Sequence, residues 1–374
     1  MAVPLVDLKA QYAPLRQQLD EALGEVLEAQ RFILGPQVEQ LEKEAAAFLG
    51  TRHAVGCASG TDALLLALKA LRLEPGDEVV VPSFTFFATA GAVWNAGLRP
   101  AFADIDGRTF NVTAGTIEAA LTERTRAVIV VHLYGQMATL APIVELCRAR
   151  GLTLIEDAAQ AFGARQRIDF KLLHAGTIGA LGAYSFFPAK ILGGFGDGGM
   201  ITTADDELAS RLRKLRVHGG ERTYHHEMVG TNSRLDTVQA AILRVKLSHV
   251  RNWIERRNLI AEEYDFRFKK LAPDVVTPLR TPENDHGYGV YTLRVRDRDA
   301  LKAGLDARGI GNAVYYPVPL HLQECFAELG YREGRLPESE RAAREVISLP
   351  VYPELTEAQV AEVVAAVREA VAGA

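Results

Sequence analysis

Short runs of apolar residues alternate with helix-type patterns through the first half of the chain, and this alternation limits the possible folds. His53–Cys57 is a strand candidate, and the helical pattern of Ala63–Leu71 follows it. Farther along, the apolar run Arg126–Leu133 precedes the helical pattern of Leu140–Arg150, and Leu152–Glu156 is another buried type of strand. Continuously apolar strands are typical of sheets that are covered on both faces. The sequence therefore predicts an α/β fold with a mostly parallel sheet and helices on both sides.

The pattern changes in the second half of the chain. Arg234–Leu271 has a long helical pattern rich in Arg, Lys and Glu, and it is followed by a strand candidate at Val290–Val295 and a helix candidate at Ala300–Arg308. We place a domain boundary inside or just after the long helix. The prediction is a large domain of residues 1–250 and a small C-terminal domain of residues 251–374.

Charge and cysteine content narrow the class of protein. The 42 Lys and Arg against 47 Asp and Glu leave a net charge of −5, which points to neither nucleic acid nor a membrane surface as a partner. Cys57, Cys147 and Cys325 form no CxxC pair, so we expect reduced, buried thiols. We see no secretory signal and no apolar run near the roughly 20 residues of a membrane helix. We therefore expect a cytoplasmic protein.

Two segments follow predicted strands where ligands of parallel sheets bind. Ser59-Gly60-Thr61-Asp62 leads into a helix, where the first free amides can bind a phosphate, although the local pattern alone favours Ser59 as a simple helix cap. Asp157 directly follows the strand at Leu152–Glu156 and would face a ligand crevice. It could also be a simple helix cap.

A lysine in unusual surroundings is the third feature. Lys190 ends the segment Ser185–Lys190, which is rich in aromatic residues, and a glycine run at Gly193–Met200 follows. A lysine in a partly dry pocket has a lowered pKa and is nucleophilic, as Schiff-base chemistry requires. The glycine run is not a dinucleotide fingerprint, because a strand candidate rather than a helix follows it.

The remaining polar candidates have simpler interpretations. Gly230–Leu235 is expected to begin the long helix with Asn232 or Ser233 as its cap. His225 and His226 lack companion ligands, so no metal site is predicted. His132 is expected to be a hydrogen-bonded histidine at a strand end.

Eight segments, in this order, carry a resemblance to a known family: SGTDAL, PSFTFFAT, HLYGQ, EDAAQAFGA, SFFPAK, GDGGM, GTNSRLDTVQAAIL and YYPVPLHLQ. They resemble the sugar aminotransferases of the DegT/DnrJ/EryC1/StrS family, from Leu5 to Pro353. The resemblance implies the PLP-dependent transferase fold type I of aspartate aminotransferase, where PLP is pyridoxal 5'-phosphate. It also implies a small C-terminal α+β domain and a homodimer with active sites at the subunit interface.

The resemblance assigns roles around the PLP ring. Lys190 matches the lysine that binds PLP covalently, and Asp157 matches the carboxylate that pairs with the ring nitrogen. Gln160 matches a residue beside the ring hydroxyl, and Phe86 matches the aromatic side chain stacked on the ring.

A second group of matched residues would bind the phosphate of PLP. Gly60, Thr61 and Ser185 match the phosphate cradle. Asn232 matches a residue that reaches the phosphate from the neighbouring subunit, so dimerisation would complete the site.

The implied reaction is amino transfer from L-glutamate to a keto-sugar. The freed amine of Lys190 would move the proton of the donor, as a general base and acid. The same steps in reverse would deliver the amino group to the sugar.

The sugar is expected to be a nucleotide-linked (UDP or dTDP) 3-keto sugar of amino-sugar and polysaccharide biosynthesis. The run Arg222–His226 and the GTNSRL segment resemble the branch with that activity, some of whose members act on uronic acids. Arg234 could then hold the carboxylate of the sugar, or that of glutamate, or only pin the helix. Tyr315 and Tyr316 stand where the branch often has His-Tyr, so a substrate contact could differ.

Other functions remain open. A 4-keto sugar or a free cyclitol ketone could be the acceptor, and some family members were first described as regulatory proteins. The dehydratase branch of the family has histidine in place of Lys190, which argues against that activity. Gln166–His174 adds a few residues to the usual pattern without an evident role.

Overall fold

The computed structural model describes residues 2–220, 222 and 224–372. The strands are β1 (His53–Cys57), β2 (Glu78–Pro82), β3 (Arg99–Ala103), β4 (Thr125–Val131), β5 (Thr153–Asp157), β6 (Arg165–Ile168), β7 (Lys171–His174), β8 (Leu181–Ser185), β9 (Gly199–Thr203), β10 (Val275–Val276), β11 (Asn284–Asp285), β12 (Tyr291–Val295) and β13 (Val346–Leu349). The α-helices are α1 (Leu8–Tyr12), α2 (Arg16–Ala29), α3 (Pro36–Leu49), α4 (Gly60–Ala70), α5 (Ala88–Asn95), α6 (Ala114–Glu118), α7 (Leu140–Arg150), α8 (Asp206–Leu215), α9 (Thr237–Leu247), α10 (Val250–Phe268), α11 (Arg298–Ala307), α12 (Pro337–Glu345) and α13 (Glu357–Ala372).

A seven-stranded sheet forms the centre of the molecule, in the order β1-β9-β8-β5-β4-β2-β3. The neighbouring pairs β3/β2, β2/β4, β4/β5 and β5/β8 are parallel. Only β9 runs against the others, because it is antiparallel to both β8 and β1. The predicted α/β class with a mostly parallel sheet is confirmed.

Side chains from alternate strand positions fill two cores, one on each face of this sheet. On β2, Val80 belongs to one hydrophobic cluster, whereas Val79 and Val81 belong to the other. The same alternation separates Val128 from Ile129 on β4. Because successive strand side chains point to opposite faces, a strand buried on both faces must be apolar throughout. This requirement explains the continuous apolar runs of the sequence.

The parallel arrangement brings several loops to one edge of the sheet. Since parallel strands end at the same edge, the residues after β1, β2, β4, β5 and β8 are neighbours there. Those residues include Ser59, Phe86, His132, Gln160 and Lys190. Asp157 lies at the carboxyl end of the strand, as predicted, although it is the last residue of β5 rather than the residue after it.

The C-terminal part has its own small sheet and core. The strands β10, β12 and β13 form an antiparallel sheet. The third hydrophobic cluster extends from Ile260 to Val367 and includes Val3 from the N-terminal segment. This distribution supports a division of the chain near residue 250, with the first residues packed on the C-terminal part. The boundary between residues 1–250 and 251–374 stays a prediction.

The predicted long helix over Arg234–Leu271 is wrong in two respects. The helical region begins only at Thr237, and Ser248 and His249 separate α9 from α10. Residues 230–235 are extended instead, because the N–H of Ser233 donates to the carbonyl of Arg216 and Asn232 forms a β-bridge with Val217. Neither Asn232 nor Ser233 caps a helix.

The extra residues of Gln166–His174 form a hairpin. The strands β6 and β7 pair with each other, and β11 extends them to a three-stranded antiparallel sheet. Asp169 and Phe170 form the turn with positive φ angles of 46° and 65°, and the Phe170 side chain is fully exposed. The hairpin is anchored at its base, because the buried amide of Gln166 donates to the side chain of Asn284 (2.8 Å).

The cysteines differ in one respect from expectation. All three are free thiols, but only Cys57 and Cys147 are buried, whereas Cys325 is exposed. None of the helices in the described part of the chain combines the length and apolar character needed to cross a membrane.

A buried carboxylate ties the loop between β7 and β8 to the central sheet. Glu156 on β5 accepts hydrogen bonds from the backbone N–H groups of Gly176, Ile178 and Gly179, at 2.6–2.8 Å. The fourth partner is Nε2 of His132, at 2.8 Å. The Ala138 N–H donates to Nδ1 of His132, so the ring proton is on Nε2 and the ring donates to Glu156. The prediction of a hydrogen-bonded His132 is confirmed.

We expect Glu156→Gln to lower the free energy of unfolding by about 3 kcal/mol, because its NH₂ group would face buried N–H donors. Urea denaturation of the two proteins measures the difference. Glu118→Gln is the matched control, since Glu118 is exposed and forms a surface ion pair with Arg150, worth at most about 1 kcal/mol. Equal stability of Glu156→Gln and the wild type would show that this network does not support the fold.

Candidate active site

Lys190 lies on a tightly curled loop after β8. Its N–H donates to the carbonyl of Phe187 (2.9 Å), and the N–H of Gly194 donates to the carbonyl of Phe186 (2.8 Å). A Cβ atom on Gly193 would lie 2.3 Å from the carbonyl oxygen of Pro188, so only glycine permits this curl. The loop therefore holds Lys190 at a defined place at the edge of the sheet.

Two side chains on α9 hold this loop in place through hydrogen bonds. The N–H of Phe195 donates to the amide oxygen of Gln239 (2.8 Å), and the buried ammonium of Lys246 donates to the carbonyl of Gly193. Burial lowers the pKa of Lys246 to about 8, partly offset by the charge of Glu354. Neither Gln239 nor Lys246 was among the site residues predicted from the sequence. Their spacing of seven residues, which places both on one face of a helix, was the available signal.

The amine of Lys190 and the carboxylate of Asp157 influence each other electrostatically. Burial lowers the pKa of Lys190, and the nearby charge of Asp157 partly offsets this effect. A lowered pKa increases the fraction of neutral, nucleophilic amine near neutral pH. The structure thus brings together the two residues that were predicted to be catalytic.

The carboxylate of Asp157 is buried and oriented by two donors. The hydroxyl of Thr89 donates to Oδ2 (2.9 Å), and the N–H of Ala159 donates to Oδ1 (3.1 Å). Burial raises the pKa of Asp157, whereas these donors and the charge of Lys190 lower it. Thr89 was not among the site residues predicted from the sequence. No local pattern shows that a helix residue 68 positions earlier forms a hydrogen bond with this carboxylate.

Gln160 connects the end of β5 with the C-terminal part of the chain. Its Oε1 accepts from the N–H of Tyr134 (2.8 Å), and its Nε2 donates to the hydroxyl of Tyr316 (2.9 Å). The hydroxyl of Tyr134 in turn donates to the carbonyl of Tyr315. Burial raises the pKa of Tyr316, so its hydroxyl stays protonated at neutral pH. Tyr315 and Tyr316 therefore lie against the same edge of the sheet as Asp157.

Phe86 lies in the loop between β2 and α5 and is 56% exposed. Its ring centroid is 6.1 Å from that of Tyr316, and the two rings are tilted by 43°. An exposed aromatic ring beside buried polar groups suits a planar ligand.

The start of α4 offers free backbone donors beside β8. Ser59 is the helix cap, because its hydroxyl accepts from the N–H of Asp62 (3.1 Å). In the described part of the chain, the N–H groups of Gly60 and Thr61 have no hydrogen-bond acceptor. A Cβ atom on Gly60 would lie 2.6 Å from Cβ of Ser185, so glycine allows the helix to approach this serine closely. The arrangement is suited to an anion.

Asn232 and Arg234 lie on the extended segment before α9. This segment contacts the strand end after β1, because the N–H of Ala58 donates to the hydroxyl of Ser233 (3.2 Å). Asn232 is exposed, and Arg234 has no ion pair with a described residue. Within this single subunit, neither side chain forms a hydrogen bond or an ion pair with Lys190 or Asp157. Of the run Arg222–His226, Thr223 lies outside the described residues.

The donor set fits PLP. A nucleophilic amine, a buried carboxylate, an exposed aromatic ring and a helix start with free N–H groups match its aldehyde, ring nitrogen, ring face and phosphate. Among the described residues, no group of three or more His, Cys, Asp or Glu side chains could hold a metal ion.

Curated relatives cover the whole chain. A "Pleiotropic regulatory protein" of Geobacillus stearothermophilus is 48% identical over 99% of this chain and 98% of its own length. A UDP-N-acetyl-3-dehydro-alpha-D-glucosamine 3-aminotransferase of Acidithiobacillus ferrooxidans is 45% identical over 100% and 99%. Identities of 45–48% over nearly the full length of both chains establish a common ancestry and a common fold.

A solved structure has the same fold over nearly all residues. The crystal structure of DesV from S. venezuelae, in complex with a ketimine intermediate, superposes with a TM-score of 0.95 at 45% identity and covers 99% of this chain and 98% of that one. The predicted fold type of PLP-dependent aminotransferases is thereby confirmed. The model of the DegT/DnrJ/EryC1/StrS aminotransferase family matches residues 14–368, and this protein belongs to that family.

Proposed function

We propose that this protein transfers an amino group from L-glutamate to the 3-keto carbon of a nucleotide-linked sugar, with PLP as cofactor. The observation that carries the proposal is the placement of Lys190 beside the buried carboxylate of Asp157. The 3-aminotransferase of Acidithiobacillus ferrooxidans, a full-length relative that acts on a UDP-linked sugar, supports the 3-position and the nucleotide. Such a reaction supplies amino sugars for polysaccharide biosynthesis.

Lys190 and Asp157 would divide the catalytic work. PLP, when bound, withdraws electrons from the carbon that carries the transferred amino group. Lys190 would hold the cofactor and, as a free amine, would accept and return the proton of the transferred group as a general base and acid. Asp157 would pair with the ring nitrogen and favour its protonated form by its charge. A lowered pKa suits Lys190 to accept a proton near neutral pH.

Other residues would hold the cofactor in place. Gly60, Thr61 and Ser185 would bind the phosphate, with the free N–H groups of α4 as donors. Phe86 would cover one face of the ring. Gln160, which Tyr134 and Tyr316 orient through hydrogen bonds, would lie beside the ring hydroxyl.

We propose that two copies of the chain form a dimer with shared sites. Several large apolar side chains near the candidate site are exposed in the single subunit, which is typical of a surface that a partner covers. They are Phe32, Ile33, Phe87, Phe187 and Phe195, with exposed fractions of 38–53%. Asn232, which is exposed and has no recorded contact with the site of its own subunit, would bind the phosphate in the partner.

Arg234, Tyr315 and Tyr316 are proposed to bind the substrates. An arginine without a carboxylate partner in the described chain is suited to bind a ligand carboxylate through two hydrogen bonds. That carboxylate belongs either to a 3-keto uronic acid or to glutamate. The hydroxyl of Tyr315 would replace the histidine found in related enzymes.

We also propose a cytoplasmic location, which three free cysteines support. The relative with a regulatory name keeps a regulatory role as an alternative. A half-buried lysine near a buried aspartate favours catalysis over that role. A 4-keto sugar or a free cyclitol ketone would be an alternative acceptor for the same catalytic residues.

We expect the wild-type protein with PLP to show a visible absorption band that L-glutamate bleaches. Lys190→Ala should lack the band, because no amine remains to bind the cofactor covalently. Lys43→Ala is the matched control, since Lys43 is an exposed lysine, and it should behave as the wild type. A normal band in Lys190→Ala would exclude Lys190 as the cofactor lysine.

Arg234→Met should separate the two proposed carboxylate partners. Loss of a charge-assisted hydrogen-bond pair corresponds to a roughly 10- to 100-fold loss in kcat/KM. If Arg234 binds the sugar, this loss appears with a UDP-linked 3-keto uronic acid but not with the neutral 3-keto sugar. If it binds glutamate, the KM for glutamate rises with both sugars. Unchanged kinetics with all substrates would leave Arg234 without a binding role.

Mixed dimers of Lys190→Ala and Asn232→Asp subunits test the shared site. If Asn232 serves the partner, each mixed dimer contains one site with both native residues, and random pairing restores activity in about a quarter of all sites. If Asn232 serves its own subunit, every site of a mixed dimer carries one defect and no activity returns. Activity of both parent variants and of co-refolded mixtures measures the difference.

A further inference from the structure

Among the residues that the structure describes, Thr89 is the one side chain whose hydroxyl donates to the carboxylate of Asp157. It lies in the first turn of α5, is fully buried, and its Oγ1 is 2.9 Å from Oδ2 of Asp157. The N–H of Ala159 serves the other oxygen at 3.1 Å. A carboxylate has about four acceptor positions, so two remain for a further donor. The plane of the carboxylate is thus defined before any ligand binds.

The direction of these hydrogen bonds follows from the number of protons. Oγ1 of Thr85 lies 3.4 Å from Oγ1 of Thr89, and both hydroxyls are buried. An ionised carboxylate can only accept, so Thr89 must direct its single proton to Asp157. Its oxygen is then the acceptor for the hydroxyl of Thr85. The two threonines form a chain whose orientation depends on the charge of Asp157.

Thr89 acts against the effect of burial on Asp157. Burial raises the pKa of this carboxyl, and the hydrogen bond from Thr89 is the largest effect that lowers it. The titratable groups that face Asp157 are Lys190 after β8, His132 after β4 and Tyr316 from the C-terminal part. Thr89, like the N–H of Ala159, is a neutral donor that does not titrate, so its effect does not vary with its own protonation.

We infer that Thr89 is a positioning residue for the amino-transfer reaction: its hydroxyl orients the Asp157 carboxylate toward the ring nitrogen of PLP and favours its ionised form. The inference rests on the proposed function, because it assumes that the ring nitrogen binds Asp157. Phe86 precedes Thr89 by three residues. The same short segment would therefore supply both the cover of the ring face and the donor to its charge partner.

The test uses PLP-loaded wild type, Thr89→Val and Thr89→Ser. Visible spectra are recorded across pH, and PLP affinity is measured by titration of the apoproteins. Without the donor, Asp157 becomes protonated at a higher pH. The acid-side spectral transition of Thr89→Val should therefore move up by about one pH unit, and its Kd for PLP should rise about tenfold. Thr89→Ser keeps the hydroxyl and should stay within about 0.3 pH unit of the wild type.

Thr85→Val is the matched control, because it removes a buried hydroxyl of the same segment that does not contact Asp157. Its shift should be less than half of that in Thr89→Val, and Thr89→Ala repeats the measurement if the valine variant does not fold. An equal shift in both valine variants, or wild-type spectra and affinity in Thr89→Val, would overturn the inference alone. A wild type without a visible band would contradict the proposed function and this inference with it.

Discussion

Burial of the Asp157 carboxylate beside the Lys190 amine is the constraint on which the candidate site depends. Burial disfavours both charges, and each charge offsets part of that effect on the other. The parallel sheet provides this closeness, since β5 and β8 are hydrogen-bonded neighbours and both end at the same edge. The helices cover both faces of the sheet, so the edge where these strands end is the place that stays open to a ligand.

Several polar networks keep these groups at fixed positions. Glu156 accepts hydrogen bonds from three backbone N–H groups and from His132, and so holds the loop before β8 against β5. From α9, Gln239 and Lys246 hold the loop that carries Lys190. Buried networks of this kind are costly when one partner is missing, because each remaining group loses its hydrogen bond in a low-dielectric interior. Their completeness here indicates a site that is formed before the cofactor binds.

The C-terminal part of the chain contributes to the same edge of the sheet. Tyr316 meets Gln160, and Tyr134 meets the backbone of Tyr315, so the small sheet and its helices place two aromatic residues over the crevice. The hairpin of β6 and β7 is anchored by Gln166 at its base. At its tip it exposes Phe170 to solvent.

The sequence by itself determined the α/β class, the family and the position of Asp157 at a strand end, because these depend on local periodicity and on contiguous motifs. It also identified Ser59 as a helix cap and His132 as a hydrogen-bonded residue. It failed at Asn232 and Ser233, where pairing with Arg216 and Val217 overrides the local helix pattern. Thr89, Gln239 and Lys246 were decided only by the tertiary structure, since each acts on a residue 44 to 68 positions away. The seven-residue spacing of Gln239 and Lys246 places both on one helix face, but it does not show which residues they contact, because only the packing of the folded chain brings the groups together.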